Sequence, residues 1–143
     1  MAKSHLLERL FEESLYFVLL WHRWCCDEAW PFVRAGYFAS VPAPFRPIAA
    51  WAARRRVQGY TRGQGIGLFS RAQIDARGLA DLRAASSVLG DGEWFFGAPS
   101  TIDAIAHAWV ANILCHPVEG RLQKGMPTNL RSHSERFSKA WWS

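Results

Sequence analysis

A chain of 143 residues can bury one substantial core, and with half of its residues hydrophobic it is not a disordered chain. Eight tryptophans and nine phenylalanines are many for this length, and aromatic surface is spent on cores and interfaces. The formal charge of +5 would fit an anionic partner, but Arg54, Arg55, Arg56 and Arg62 form one local cluster while the other basic residues are scattered among acids. A solvated helix face is the better reading of that cluster. No specific nucleic-acid partner is expected, because interleaved aromatic platforms and zinc-finger, RRM or KH signatures are absent.

Three cysteines, two of them adjacent, make no disulfide framework and fit a reducing compartment. The longest apolar run, Leu15 to Trp21, is too short for a transmembrane segment. Met1-Ala-Lys-Ser lacks the charged-then-apolar pattern of a signal peptide. The expectation is a single domain over 1–143 in the cytoplasm.

A long first helix is predicted from about Ser4 to Cys26. Leu7, Leu10, Ser14, Phe17, Trp21 and Trp24 mark one stripe at alternating three- and four-residue spacing, and Leu15, Tyr16, Val18 and Leu20 add apolar surface elsewhere around it. Two of its faces must therefore be covered, one by the core and one by a second subunit or domain. A second helix starts at Asp27 or Glu28, tolerates Pro31 in its first turn and ends near Phe38 or Ser40. Pro42-Ala-Pro44 breaks the chain. A third helix runs from Pro44 or Arg46 through Ile48, Trp51 and Arg55 and dies around Gly59 to Gly63, because the glycines of Gly63-Gln-Gly65-Ile-Gly67 are costly in a helix.

Ser70 followed by Gln73 is a capping-box signature for a helix reaching about Leu89, which Gly90-Asp-Gly92 ends. Ser100 and Asp103 repeat the signature before Ile102, Ile105, Ala106, Trp109, Val110 and Ile113, the wide apolar stripe of a helix running through the core to about Cys115. The Asp103 carboxylate satisfies the Ser100 N–H and sits at the positive end of the helix dipole, a cap worth about 1 to 2 kcal/mol. A short turn or helix follows over Val118 to Lys124, and Thr128 can cap a last helix carrying Leu130, Phe137 and Trp141. Periodicity thus gives seven helical segments, no strand and an all-α fold.

Three constellations invite a chemical reading. His22, Cys25 and Cys26 can share a helix face and are soft ligands, but a fourth ligand has no source, so no metal is expected; buried small residues and a satisfied histidine explain them better. Gly63-x-Gly65-x-Gly67 before Ser70 has a phosphate-cradle look, but lacks the preceding strand and the lysine of a P-loop; a flexible connector is the better reading. Asp103 with His107 four residues on would make an acid–base pair, yet capping explains Asp103 completely. No catalytic residue is expected in the chain.

The aromatic-Gly-x-Pro-Ser-x-x-Asp-helix run ending at Asp103 resembles the capped core helix in the C-terminal domain of glutathione transferases. Glu13-Ser-Leu-Tyr16, Arg23-Trp24, Asp27-Glu-x-Trp30-Pro31, Gly65-Ile-Gly67, Leu89-Gly-Asp, Trp94-Phe-Phe-Gly97 and Asn129-Leu130, in that order, resemble the metaxin and failed-axon-connections-like branch. His133 departs from that pattern, which usually has an aromatic after Asn-Leu, and Leu68-Phe69 stands where a basic pair is common.

The resemblance implies a helical bundle of the transferase C-terminal type with about six to seven helices. The thioredoxin-like domain that holds glutathione in that family is not in this chain. It also implies that glutathione would be a co-substrate only with such an N-terminal domain, that no cofactor belongs to this chain alone, and that the hydrophobic-substrate site is lined by the first helix and, in part, by the last one. Tyr16, Leu20, Arg23 and Trp24 are the residues that would face it, with interface packing as the simpler role for them. A homodimer through the first two helices is expected, burying some of Tyr16, Leu20, Trp24 and Trp30. A noncatalytic, metaxin-like interaction module is the alternative function.

Overall fold

The computed structural model describes residues 2–141. Met1, where the signal-peptide reading starts, lies outside them. Among the described residues there are seven helical stretches, a short 3-10 turn and no strand, and the chain divides into two compact units. The fold is the predicted all-α one.

Residues 2–24 are helical throughout: α1 (Ala2–Arg9), a π-helical stretch (Leu10–Leu15) and α2 (Tyr16–Trp24) follow without a break. The buried positions are Leu7, Phe11, Leu15, Val18 and Leu19, one step round from the predicted Leu10, Ser14, Phe17 stripe. The π stretch explains the difference. Steps of four residues drift by about 40° in an α-helix, and the wider π turn takes up that drift, keeping Leu7, Phe11 and Leu15 in line.

The first unit, residues 1–16 and 75–143, is built around α6 (Thr101–Leu114), which touches α1, the π stretch, α7 (Arg121–Lys124) and α8 (Thr128–Trp141). Ile102, Ala106, Val110 and Ile113 of α6 are buried, as the stripe required. Leu82, Ala85 and Leu89 of α5 (Arg71–Leu89) and Leu130 and Phe137 of α8 are buried with them.

Asn129 ties α5 to α8. Its amide donates to the carbonyls of Ser86 and Gly90 at 2.9 Å, and its Oδ1 accepts from the Ser86 hydroxyl at 2.6 Å and the Leu130 N–H at 2.9 Å. Gly90 stops α5 with φ 58°, a left-handed conformation that glycine adopts without a side-chain clash. Gln123 does the same work at the far end of α6, donating to the carbonyls of Leu114 and His116 while accepting the Gly120 N–H.

The second unit, residues 17–74, holds most of α2 with α3 (Trp30–Tyr37), α4 (Arg46–Gln64), the 3-10 turn (Ile66–Leu68) and the start of α5. α3 begins a turn later than Asp27 or Glu28, with Pro31 in its first turn as predicted. α4 corrects the sequence reading: it passes straight through Gly59 and Gly63 and ends only at Gly65, whose φ of 110° the other residues rarely adopt. The glycine-rich segment is a compact turn with Ile66 buried, rather than a loose connector. Arg46 closes the proline break by donating to the carbonyls of Ala39 and Val41.

Among the described residues no helix is long and apolar enough to cross a membrane.

Candidate functional site

Asp103 is a hydrogen-bonding hub of the first unit. It is fully buried, and both oxygens are used: Oδ1 accepts from the Phe95 N–H at 3.0 Å and from His133 Nε2 at 2.9 Å, while Oδ2 accepts from the Ser100 N–H at 2.9 Å and the Ser100 hydroxyl at 2.6 Å. The predicted capping box is therefore present. It is also more than a cap, because the same carboxylate pins the Trp94-Phe95 loop and α8. Burial raises the Asp103 pKa, but the donors from Ser100, Phe95 and His133 together outweigh it and leave the carboxyl below its ordinary range.

His133 is equally buried, walled by the rings of Trp94 at 5.8 Å and Phe95 at 5.4 Å. Its Nδ1 has no hydrogen-bond partner among the described residues. A neutral ring carrying its proton on Nε2 gives Asp103 a donor and leaves only a lone pair facing the aromatic wall. Burial accordingly pushes the His133 pKa down, against the opposing pull of Asp103. Sequence reasoning placed no partner for Asp103 at position 133; thirty residues separate the two, beyond any periodic signal.

His107 does not join Asp103. Its Nδ1 lies 2.9 Å from the Ser134 hydroxyl and its ring stacks on Phe137 at 4.9 Å. A Ser-His-Asp relay needs the carboxylate on the second nitrogen of the histidine that faces the serine. Here Asp103 is bonded to His133 and the Ser134 hydroxyl to His107, two different imidazoles across the α6–α8 seam.

The residues expected at a substrate site all lie on α2. Tyr16, half-buried, meets Trp109 edge-on at 6.0 Å in the first unit. Leu20, Arg23 and Trp24, also half-buried, are in the second. Trp24 sits in an aromatic cluster, 5.8 Å from Trp30, 5.6 Å from Tyr37 and 6.5 Å from Phe38, and its carbonyl accepts from Arg54 at 2.9 Å. The Arg54 guanidinium also covers the Trp30 ring at 4.8 Å and pairs with Asp27 at 2.6 Å.

A cavity of about 520 Å³ opens instead one residue further round α2, at Trp21 and Cys25. Its other walls are Arg55, Gln58, Gly59, Thr61 and Arg62 of α4, with Gly67 in the 3-10 turn and Phe69 just after it. Cys25 is half-buried, 3.7 Å from the Thr61 hydroxyl. Burial pushes its thiol pKa up, outweighing the Thr61 hydrogen bond and the nearby Arg54 and Arg62, so it remains a protonated thiol at neutral pH. Cys26 turns the other way, with its sulfur 3.9 Å from His22 Nδ1. No three His, Cys, Asp or Glu side chains among the described residues are grouped as metal ligands.

The glycine-rich turn offers no anion cradle at the start of α5, because Ser70 and Gln73 cap that end themselves, the Ser70 N–H donating to Gln73 Oε1 at 2.9 Å.

No curated protein and no solved structure matches the chain significantly. Residues 78–137, which run from α5 through the Asp103-capped α6 into α8, match the family model described as glutathione S-transferase, C-terminal domain, and over that stretch the chain is similar to the helical domain of those enzymes.

Proposed function

We propose that the chain is the helical half of a glutathione transferase-like protein, shaping a hydrophobic electrophile site and a subunit interface while a thioredoxin-like domain binds glutathione and activates its thiol. The observation that carries this reading is the family match over 78–137, centred on the α6 helix that Asp103 caps. Tyr16, Leu20, Arg23 and Trp24 on α2 would form the electrophile wall. The chemistry of the chain itself agrees with a supporting role: Asp103 spends both oxygens on structural bonds, and Cys25 is not activated. A cytoplasmic location accompanies this reading.

The test is calorimetric titration of the chain with glutathione, beside a conjugation assay with a generic aryl halide. No saturable binding and no conjugation are expected. A dissociation constant near or below roughly 1 mM, about 4 kcal/mol of affinity, would overturn the proposal by revealing a thiol site within the helices.

A second reading, a noncatalytic interaction module of the metaxin-like kind, is favoured by one observation. Phe32, Tyr37, Phe45, Ile48, Trp51 and Tyr60, all in the second unit, each leave more than half of their surface exposed. The two readings separate on the sequence encoded upstream. A Tyr, Ser or Cys placed to hold a glutathione thiolate, followed by a cis-proline loop, favours the enzyme.

A further inference from the structure

Residues 17–74 contain eight arginines, no lysine and only two carboxylates, Asp27 and Glu28. The rest of the chain carries nine basic and ten acidic side chains, so this unit accounts for all of the net positive charge. Both of its carboxylates are already engaged, Asp27 with Arg54 and Glu28 with Arg71, each at 2.6 Å. Arg55 and Arg62 have no carboxylate partner among the described residues; Arg55 has only the Trp51 ring beneath it at 5.7 Å.

These two guanidiniums line the 520 Å³ cavity. With Gln58 they occupy positions i, i+3 and i+7 of α4, which is one face of the helix, so the amide stands between the two charges. The Thr61 hydroxyl at the cavity wall is turned back on the Gln58 carbonyl at 3.0 Å. Trp21 and Phe69 supply aromatic surface. A guanidinium is a planar fork that fits a carboxylate or phosphate through two parallel N–H bonds and is less strongly hydrated than an ammonium. The volume is that of a site for a ligand of one or two rings.

We propose that this cavity binds a small aromatic oxyanion, a carboxylate or phosphate monoester on a planar ring, with Arg55 and Arg62 holding the anionic oxygens, Gln58 donating between them and Trp21 and Phe69 flanking the ring. None of these residues lies within 78–137, and none is among Tyr16, Leu20, Arg23 and Trp24. The site is therefore separate from the proposed electrophile wall and does not depend on it.

The experiment is titration of the full chain with 2-naphthoate, 2-naphthyl phosphate and the neutral 2-naphthamide, followed by calorimetry. Saturable binding of either anion, with the amide at least tenfold weaker, is expected; whichever anion binds tighter supports the proposal and names its head group. Arg55→Gln and Arg62→Gln should each weaken binding tenfold or more, whereas Arg56→Gln, on the same helix but outside the cavity, should change it less than twofold. Both lining arginines are exposed, so their replacement leaves the core intact. Location is read independently by iodoacetamide labelling: a saturating anion should slow modification of Cys25 and leave the exposed Cys115 unchanged. Failure of both anions to saturate, equal binding of the amide, equal effects of Arg56→Gln and Arg55→Gln, or unaltered Cys25 labelling would each overturn the proposal.

Discussion

Asp103 on α6 and His133 on α8, both without solvent exposure, are joined by a 2.9 Å hydrogen bond that makes one carboxylate serve as helix cap, loop anchor and helix–helix link. Replacing Asp103 with Ala strands the N–H groups of Phe95 and Ser100 and the Nε2–H of His133 inside the protein. The loss should be about 3 to 5 kcal/mol, above the 1 to 2 kcal/mol of a simple cap. Asp103→Asn keeps one acceptor oxygen but turns an amide donor toward donors, and should fall between the wild type and the alanine variant. Equilibrium urea denaturation measures both; an unchanged midpoint for Asp103→Ala would remove the carboxylate from the centre of this account.

The same buried pair gives the fold a pH dependence with a definite sign, set at His133 by burial and opposed there by Asp103. The His133 pKa is depressed in the folded state, so its neutral form stabilises the fold fully above the unfolded value of about 6.5, and that contribution is lost as pH falls through the window down to the folded pKa. The Asp103 pKa is depressed too, so its contribution is present above about 3.9 and is lost as pH falls through its own folded pKa. His133→Phe should cost about 1 to 2 kcal/mol at pH 7 for the lost donor and flatten the dependence between pH 7.5 and 5. Parallel stability curves for the two proteins across that range would show that His133 does not titrate as described.

Glycines within one segment should respond oppositely. A Cβ on Gly67 would come within 2.9 Å of the Arg62 backbone nitrogen and 3.0 Å of the Thr61 carbonyl carbon, so Gly67→Ala forces the turn away from α4 and should cost about 1 to 3 kcal/mol. Gly63 lies inside α4 with nothing within 4 Å of such a carbon, and Gly63→Ala should stabilise by about 0.5 to 1 kcal/mol through helix propensity. Thermal unfolding of the two variants reads the difference directly. Destabilisation by Gly63→Ala would mean that its open side is needed by something else.

Local rules carried the reading of the chain wherever the partners were close in sequence. The Ser70–Gln73 and Ser100–Asp103 caps were legible because both members lie within one turn, and the buried face of α6 followed from its 3.6-residue period. The end of α4 was misplaced because helix propensity charges Gly59 and Gly63 a cost that packing of Ala50 and Thr61 overrides; the stop signal was the left-handed Gly65. The register of the first helix shifted because a period near four, Leu7 to Phe11 to Leu15, calls for a π turn that an α-helical template cannot represent. His133 was visible only as a departure from a family pattern, and its partner could be found only in three dimensions. The cavity walls come from two stretches far apart in sequence, Trp21 and Cys25 at the end of the first helix and Arg55 and Arg62 on α4, and the arginine cluster read as a solvated face carried no mark of the concavity behind it.

Self-association is the last expectation. Trp24 and Trp30, predicted to be buried by a second subunit, already spend part of their surface on one another and on Phe38, which leaves Phe45, Ile48 and Trp51 at the start of α4 as the exposed apolar side chains nearest to one another in sequence. A two-fold pair through this face would bury them in a closed arrangement, but it would also bring two arginine-rich units together. Hydrophobic burial and charge repulsion therefore oppose one another, and the repulsion is screened as the Debye length shrinks from about 10 Å at 0.1 M salt to about 3 Å at 1 M. Association should strengthen with added salt, the reverse of a complex held by ion pairs. Sedimentation at tens of micromolar, an affinity of about 6 kcal/mol, should show a dimer whose fraction rises between 0.1 and 0.5 M sodium chloride and falls in Trp51→Glu. A strict monomer at both salt concentrations, or a dimer indifferent to Trp51→Glu, would count against this face as the contact.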